Sequence, residues 1–170
     1  QVTATDAAAQ TASAAKTVTV TPGAVTTSTT FTMNTDNLTG TTGDDTFTAP
    51  ALFNAGDGKV YSTLQTGDKA DGLAGANVLN AVLGADGIDS PAPQLSNIQT
   101  LNFTSNTTGG ATVVATNITG ATSVNSVNSS TALTVGTVPS LVNVGVYSTL
   151  VNTTVNMAAA AAPGADDTMG

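Results

Sequence analysis

The chain has 170 residues and a net charge of −8, and only 8% of its residues are charged. It contains no cysteine and no histidine, which excludes disulfides, thiolate or histidine zinc sites and the usual catalytic triads. Its only basic residues are Lys16, Lys59 and Lys69, which disfavours nucleic-acid binding because phosphate binding needs clustered Lys and Arg; no nucleic-acid partner is predicted. This composition predicts a protein that is not an enzyme.

The first segment, residues 1–30, is predicted to be an N-terminal arm followed by a first strand. Residues 6–16 are alanine-rich and suit either one short helix or a flexible arm, because a helix of that length is marginal in water. Residues 17–21 alternate threonine and valine, as a half-buried strand does. Pro22 and Gly23 then predict a turn.

The middle segment, residues 31–90, contains the same nine-residue pattern twice. Residues 40–48 and 72–80 follow G-G-x-G-x-D-x-U-x, where U is a large apolar residue, except at the second glycine. The second copy also has Asn77 where the pattern has an aspartate. In such a pattern the glycines allow a turn with positive φ, and the acid directs its side chain into that turn. An inward-facing strand is expected to begin two residues later.

Aspartates are concentrated in this middle segment and are predicted to bind calcium. Ca²⁺ takes about six to eight oxygen ligands from carboxylates and backbone carbonyls, and stacked glycine turns supply both. The candidate metal ligands are Asp44, Asp45, Asp68, Asp71 and Asn77. The alternative is that each of these side chains only caps its own turn.

The last segment, residues 91–170, is predicted to be a region of β-repeats rich in threonine, valine and asparagine. Pro91 and Pro93 predict its start, since two prolines in three residues do not fit a central strand. Beyond them, short apolar pulses such as Leu101 with Phe103 recur every nine to twelve residues or so, which is typical of many short strands. The asparagines between them fit turns or stacked amide ladders.

Two blocks of the sequence carry a resemblance to a known family. Residues 63–83 read TLQTGDKADGLAGANVLNAVL, and residues 95–103 read LSNIQTLNF. Together they resemble the repeat-in-toxin (RTX) type surface-layer proteins of Gram-negative bacteria, in which a glycine-aspartate block precedes a strand of this second kind. The resemblance implies calcium-dependent assembly outside the cell, at the bacterial cell surface.

These observations predict an all-β fold of many short strands, either a β-solenoid or sandwich-like, with at most one short N-terminal helix. We expect a structural surface-layer or filament protein that self-assembles through β-strands into a homo-oligomeric sheet or filament. The alternative function is a calcium-dependent adhesin or glycan-binding module of a larger secreted protein, with cell-surface polysaccharide as its partner. No apolar run approaches the ~20 residues of a membrane helix, so no transmembrane segment is predicted.

Overall fold

The computed structural model describes residues 23–84, 86 and 89–161, which wind into a β-solenoid of about six turns. This confirms the all-β prediction in its solenoid form. The strands are β1 (Ser28–Thr30), β2 (Asn37–Thr39), β3 (Thr46–Ala49), β4 (Ala51–Asn54), β5 (Lys59–Ser62), β6 (Lys69–Asp71), β7 (Val78–Leu83), β8 (Gln94–Ser96), β9 (Thr100–Ser105), β10 (Ala111–Val114), β11 (Ile118–Thr119), β12 (Ser123–Val127), β13 (Leu133–Val138), β14 (Asn143–Tyr147) and β15 (Thr153–Met157). A single 3₁₀ turn, Ala159–Ala161, is the only helical element among the described residues.

Three parallel sheets form the walls of the solenoid. The first, which we call wall A, has six strands in the order β1-β3-β7-β9-β12-β14. Wall B has the order β2-β6-β8-β11, and wall C has the order β10-β13-β15. Each turn therefore stacks on the preceding one with its strands parallel. Apart from β4 and β5, strands that follow each other in the sequence lie in different walls.

The turns have a regular length except at one insertion. Strands of wall A begin at Val78, Thr100, Ser123 and Asn143, so one turn takes about 20 to 23 residues. The turn between β3 and β7 is longer because it contains the antiparallel hairpin of β4 and β5. Residues 55–58 form the tip of this hairpin, between the end of β4 and the start of β5.

The core lies between the walls, and alternation along each strand decides which side chains enter it. Phe47, Leu79, Leu101 and Val124 are paired in successive strands of wall A and are fully buried. Each such side chain contributes roughly 1.5–3 kcal/mol by leaving water. The residues between them on each strand face outward, which explains the alternating sequence pattern.

The structure describes some of the predicted elements and not others. The predicted helix at residues 6–16 and the predicted strand at residues 17–21 lie outside the described residues. Wall A joins strands from both sides of Pro91 and Pro93, which lie between β7 and β8. In the described part of the chain, no helix is long and apolar enough to cross a membrane.

Candidate functional site

The two nine-residue patterns form one corner of the solenoid, where the chain passes from wall B to wall A. We call residues 40–45 and 72–77 the glycine corner. Strand β2 pairs with β6 before the corner, and β3 pairs with β7 after it, both in register. The two copies therefore lie directly on top of each other, with Asp45 and Asn77 at equivalent positions, as the pattern predicts.

The glycines of the corner are needed for close approach between turns. A Cβ atom on Gly75 would collide with the backbone carbonyl of Gly43, and Gly75 has a φ of +93°, where only glycine is unstrained. A Cβ atom on Gly72 would collide with the Asn97 carbonyl oxygen and with the side-chain amide of Asn77. Replacement of either glycine would force neighbouring turns apart.

Side-chain oxygens connect successive turns just after the corner. The Thr27 amide N–H donates to Asp45 Oδ1 at 2.6 Å, and the Asp45 N–H donates to Asn77 Oδ1 at 2.8 Å. The Asn77 N–H in turn donates to Gln99 Oε1 at 2.7 Å. In each pair, a polar side chain caps the backbone of the turn before it.

The Asp45 carboxylate is buried and surrounded by donors. Its Oδ2 accepts a 2.5 Å hydrogen bond from the Thr41 N–H, and its Oδ1 accepts hydrogen bonds from the hydroxyl groups of Thr41 and Thr27. These donors, the Thr41 N–H above all, lower the pKa of Asp45 despite the opposing effect of burial. The carboxylate is therefore held in its charged form by the protein itself.

The Asn77 amide is arranged in the opposite sense, as a donor to carbonyl oxygens. Its Nδ2 lies 2.9 Å from the Gly72 oxygen, 3.0 Å from the Ala74 oxygen and 2.8 Å from the Asn97 oxygen. Three converging carbonyl oxygens resemble part of the ligand set of a calcium ion. At Asn77, an amide NH₂ group occupies the centre of that set.

Of the other three candidate ligands, Asp44 and Asp71 lie at the corner, but their carboxylates do not converge on Asp45. Asp44 is exposed, and its Oδ1 accepts a 2.7 Å hydrogen bond from the Ala76 N–H. Asp71 accepts hydrogen bonds from the Leu73 N–H and from the Asn97 side chain, and the Asn97 contact is the main cause of its lowered pKa.

Asp68 lies at the opposite end of β6, away from the corner. Its carboxylate is fully buried and accepts hydrogen bonds from the N–H groups of Asp36 and Gln65 at 2.9 and 2.7 Å. Burial raises the pKa of Asp68 more than these hydrogen bonds lower it. Asp68 thus anchors the start of β6.

This geometry bears on whether the corner suits a cation. In the described part of the chain, no group of three acidic side chains is placed to hold a metal ion. The Asp45 oxygens already accept hydrogen bonds, and the Asn77 NH₂ group faces the carbonyl oxygens. As placed here, Asp45 and Asn77 do not fit a shared calcium ion, and the calcium site stays a prediction.

Three residues of the corner network were not among the sequence candidates. Thr27 and Thr41 donate to Asp45, and Gln99 caps Asn77 in the following turn. A signal for Gln99 was present, because Asp45, Asn77 and Gln99 each stand two residues before a buried apolar residue of wall A. Thr27 and Thr41 carry no comparable signal, since threonine is common throughout the chain.

A second polar feature is a groove on the outer surface of wall B. It has a volume of about 550 Å³, and nine of its twelve lining residues are polar, although more of the exposed lining surface is apolar than polar. Its polar lining includes Asn37, Lys69, Asp71, Gln94, Ser96 and Asn117. Such a surface offers hydrogen-bond donors and acceptors but no aromatic platform.

No protein-family model, no curated protein and no solved structure matches the chain. The resemblance to RTX-type surface-layer proteins therefore stays a prediction that rests on residues 63–83 and 95–103.

Proposed function

We propose that the protein is a structural component of an extracellular surface layer or filament at the bacterial cell surface, built by self-association through β-strands. The observation that carries this proposal is that, among the described strands, β1 and β14 form the two edges of wall A, each with one side that no strand pairs with. Parallel edge strands present unpaired N–H and C=O groups, which are templates for pairing with another chain.

The charge distribution supports the same proposal. Natural sheets commonly protect their edges with charged side chains, especially lysine. Here no residue from 90 to 165 is charged, so β14 and β15 have no such protection. The chain also contains no His, Cys, Glu or Arg, which leaves little for acid-base, nucleophilic or phosphate chemistry and argues against an enzyme.

Calcium is part of the proposal for two reasons. Residues 40–48 and 72–80 follow the nine-residue pattern, and residues 63–83 and 95–103 resemble RTX-type surface-layer proteins. Asp44, within the glycine corner, and Asp71, directly before its second copy, would be the carboxylates nearest to solvent for such an ion. When bound there, calcium would neutralise the local negative charge and stiffen the corner.

The test is an assembly assay on the purified protein. We expect sheets or fibres in electron micrographs after Ca²⁺ is added, and their dispersal after chelation. Removal of residues 1–21 is expected to leave a folded protein that no longer assembles. A full-length protein that stays monomeric with and without Ca²⁺ would contradict the proposed function.

The second candidate function is a calcium-dependent adhesin or glycan-binding module, and the wall B groove favours it. A row of amide and hydroxyl groups matches the hydroxyl groups of a cell-surface polysaccharide. Retention on immobilised polysaccharide by the wild type, reduced in Lys69→Ala and Gln94→Ala variants, would support this function over a purely structural one.

A further inference from the structure

The last turn of the solenoid leaves interior positions uncovered. In wall A, Val144 pairs with Val124, and Val146 pairs with Ser126. The side chains of Val124 and Ser126 are buried, so Val144 and Val146 occupy the equivalent interior positions of the last turn. Yet Val144 is 49% exposed and Val146 is 52% exposed. Nearby, Leu141 and Leu150 are also exposed. Among the described residues, nothing covers this apolar end.

The hydrogen bonds of β14 show which backbone groups are free at this end. The Asn143 N–H donates to the Thr122 oxygen, and the Tyr147 oxygen accepts from the Asn128 N–H, so both residues face β12. Because the direction alternates along a strand, the backbone groups of Val144 and Val146 point to the open edge. The edge therefore offers regular donors and acceptors beside an apolar surface.

The opposite end of wall A is complementary. The Thr27 oxygen accepts from the Thr46 N–H, and the Phe31 N–H donates to the Thr48 oxygen, so these residues face β3. By the same alternation, Ser28 and Thr30 direct their backbone groups to the open edge of β1. Since all strands of wall A run parallel, its two edges match by simple translation along the solenoid axis.

From these features we propose that a second copy of this chain stacks head-to-tail on the C-terminal end, continuing the solenoid from one copy to the next. Strand β1 of the second copy pairs in parallel with β14 of the first and covers Val144 and Val146. This proposal rests on the proposed self-assembly and names the surface responsible. Because such an interface joins two different surfaces, it does not close and produces a filament.

Charge favours this arrangement over contact between two N-terminal ends, and growth into a filament favours it over contact between two C-terminal ends. All acidic residues in the described part of the chain lie between Asp36 and Asp89, towards the N-terminal end of the solenoid. Contact between two N-terminal ends would bring like charges together, whereas head-to-tail contact sets an acidic end against described C-terminal turns that contain no charged residue. Contact between two C-terminal ends would stop at a dimer.

The experiment blocks each end separately. Val144→Lys combined with Val146→Lys places charges on the exposed C-terminal end. Thr30→Pro removes an N–H that faces the open edge of β1 without loss of an internal hydrogen bond, and Ser28→Pro does the same if Thr30→Pro does not fold. Phe53→Lys, at a 66% exposed position on the hairpin and away from both ends, is the matched control.

Analytical ultracentrifugation then distinguishes the outcomes. We expect the wild type and Phe53→Lys to form long assemblies, and each end-blocked variant alone to sediment as a monomer of 16.5 kDa with an unchanged circular dichroism spectrum. A mixture of the two blocked variants retains one competent junction and should form dimers and nothing larger.

Other results would overturn the stacking. Assembly of the doubly substituted valine variant to the wild-type extent would show that the junction lies elsewhere, while leaving the proposed self-assembly intact. Dimers of Thr30→Pro alone would indicate contact between two C-terminal ends. A wild type that never assembles would reject the proposed function together with the junction.

Discussion

At the scale of single residues, Asn77 shows how one substitution in a repeated pattern changes its chemistry. The pattern has an aspartate at this position, and Asp45 in the preceding turn keeps it. Asn77 instead directs an NH₂ group at the carbonyl oxygens of Gly72, Ala74 and Asn97. A buried amide satisfies these acceptors without an ion, because its two hydrogens are shared among them.

Asn77→Asp is expected to make the corner dependent on calcium. The change sets a buried carboxylate against three carbonyl oxygens, which should lower the free energy of unfolding by roughly 2–3 kcal/mol without calcium. The same oxygens form a partial ligand set, so added Ca²⁺ should restore much of the loss, whereas Mg²⁺ should not.

The measurement is urea denaturation with Ca²⁺, with Mg²⁺ and with chelator, and Asn77→Ala is the control that loses the amide without gaining a ligand. Equal stability of Asn77→Asp in all three conditions would show that the three carbonyl oxygens do not accept an ion.

Comparison of Gly75 with Gly58 separates two contributions to the free energy of unfolding. One comes from the close approach of neighbouring turns, and the other comes from a backbone with positive φ. Both glycines have positive φ, at +93° and +71°, but only Gly75 has a backbone carbonyl where a Cβ atom would lie. We expect Gly58→Ala to cost about 1 kcal/mol and Gly75→Ala clearly more, since the Gly43 backbone must move. Equal losses in urea denaturation would contradict the contact between these turns.

At the scale of elements, side-chain ladders join the strands of wall A on their outer surface. The Asn102 Nδ2 donates to Asn80 Oδ1 at 2.9 Å, and the Asn125 Nδ2 donates to Asn102 Oδ1 at 2.8 Å. The ladder crosses β7, β9 and β12, and it ends at Gly145 of β14, which has no side chain to continue it. One of the two interpretations of the asparagines in residues 91–170, the stacked amide, is thus confirmed for Asn102 and Asn125, and the ladder extends to Asn80 outside that segment.

Replacement of the middle residue tests the contribution of this ladder. Asn102→Thr keeps a residue suited to strands but removes both amide hydrogen bonds, so we expect a loss of about 1–2 kcal/mol. Asn156→Thr, at an exposed position of β15 outside the ladder, is the matched control and should change stability little. If thermal unfolding gave the same stability for both variants, hydrogen bonds to water would stabilise the protein as much as the amide ladder does.

At the scale of the whole molecule, each turn contacts mainly the turns beside it. Stability in such a chain is a sum of local terms and interfaces between neighbours, so the end turns have one interface where inner turns have two. Among the described strands, β7 and β9 are covered on both sides, whereas β1 and β14 are covered on one.

Hydrogen exchange should follow this order. In the monomer we expect the slowest amide exchange in β7, β9 and β12 and the fastest in β1, β14 and β15, as measured by mass spectrometry of peptides. Assembly by head-to-tail stacking should then slow exchange in β14 and β1 alone. Uniform protection along the monomer would indicate that the solenoid unfolds as one cooperative unit.

The local properties of the chain could be predicted from the sequence. Alternation in segments such as Thr100–Ser105 identified strands with one buried face, and the spacing of the apolar pulses beyond Pro93 predicted many short strands. The two nine-residue patterns also predicted that Asp45 and Asn77 would be equivalent, because a repeated sequence tends to repeat its backbone geometry. These features depend on residues close together in the chain.

Only the tertiary structure decided between a solenoid and a sandwich, and only it showed which groups surround the Asn77 side chain at the corner. Alternation reports that one face of a strand is buried, but it is the same for parallel and antiparallel pairing. The hairpin of β4 and β5 also interrupts the period that would have revealed the turns. The partners of Asn77, including Asn97 and Gln99, come from the next turn, about 20 residues away. Their hydrogen bonds exist only because stacked turns bring distant segments to the spacing of about 4.8 Å between paired strands.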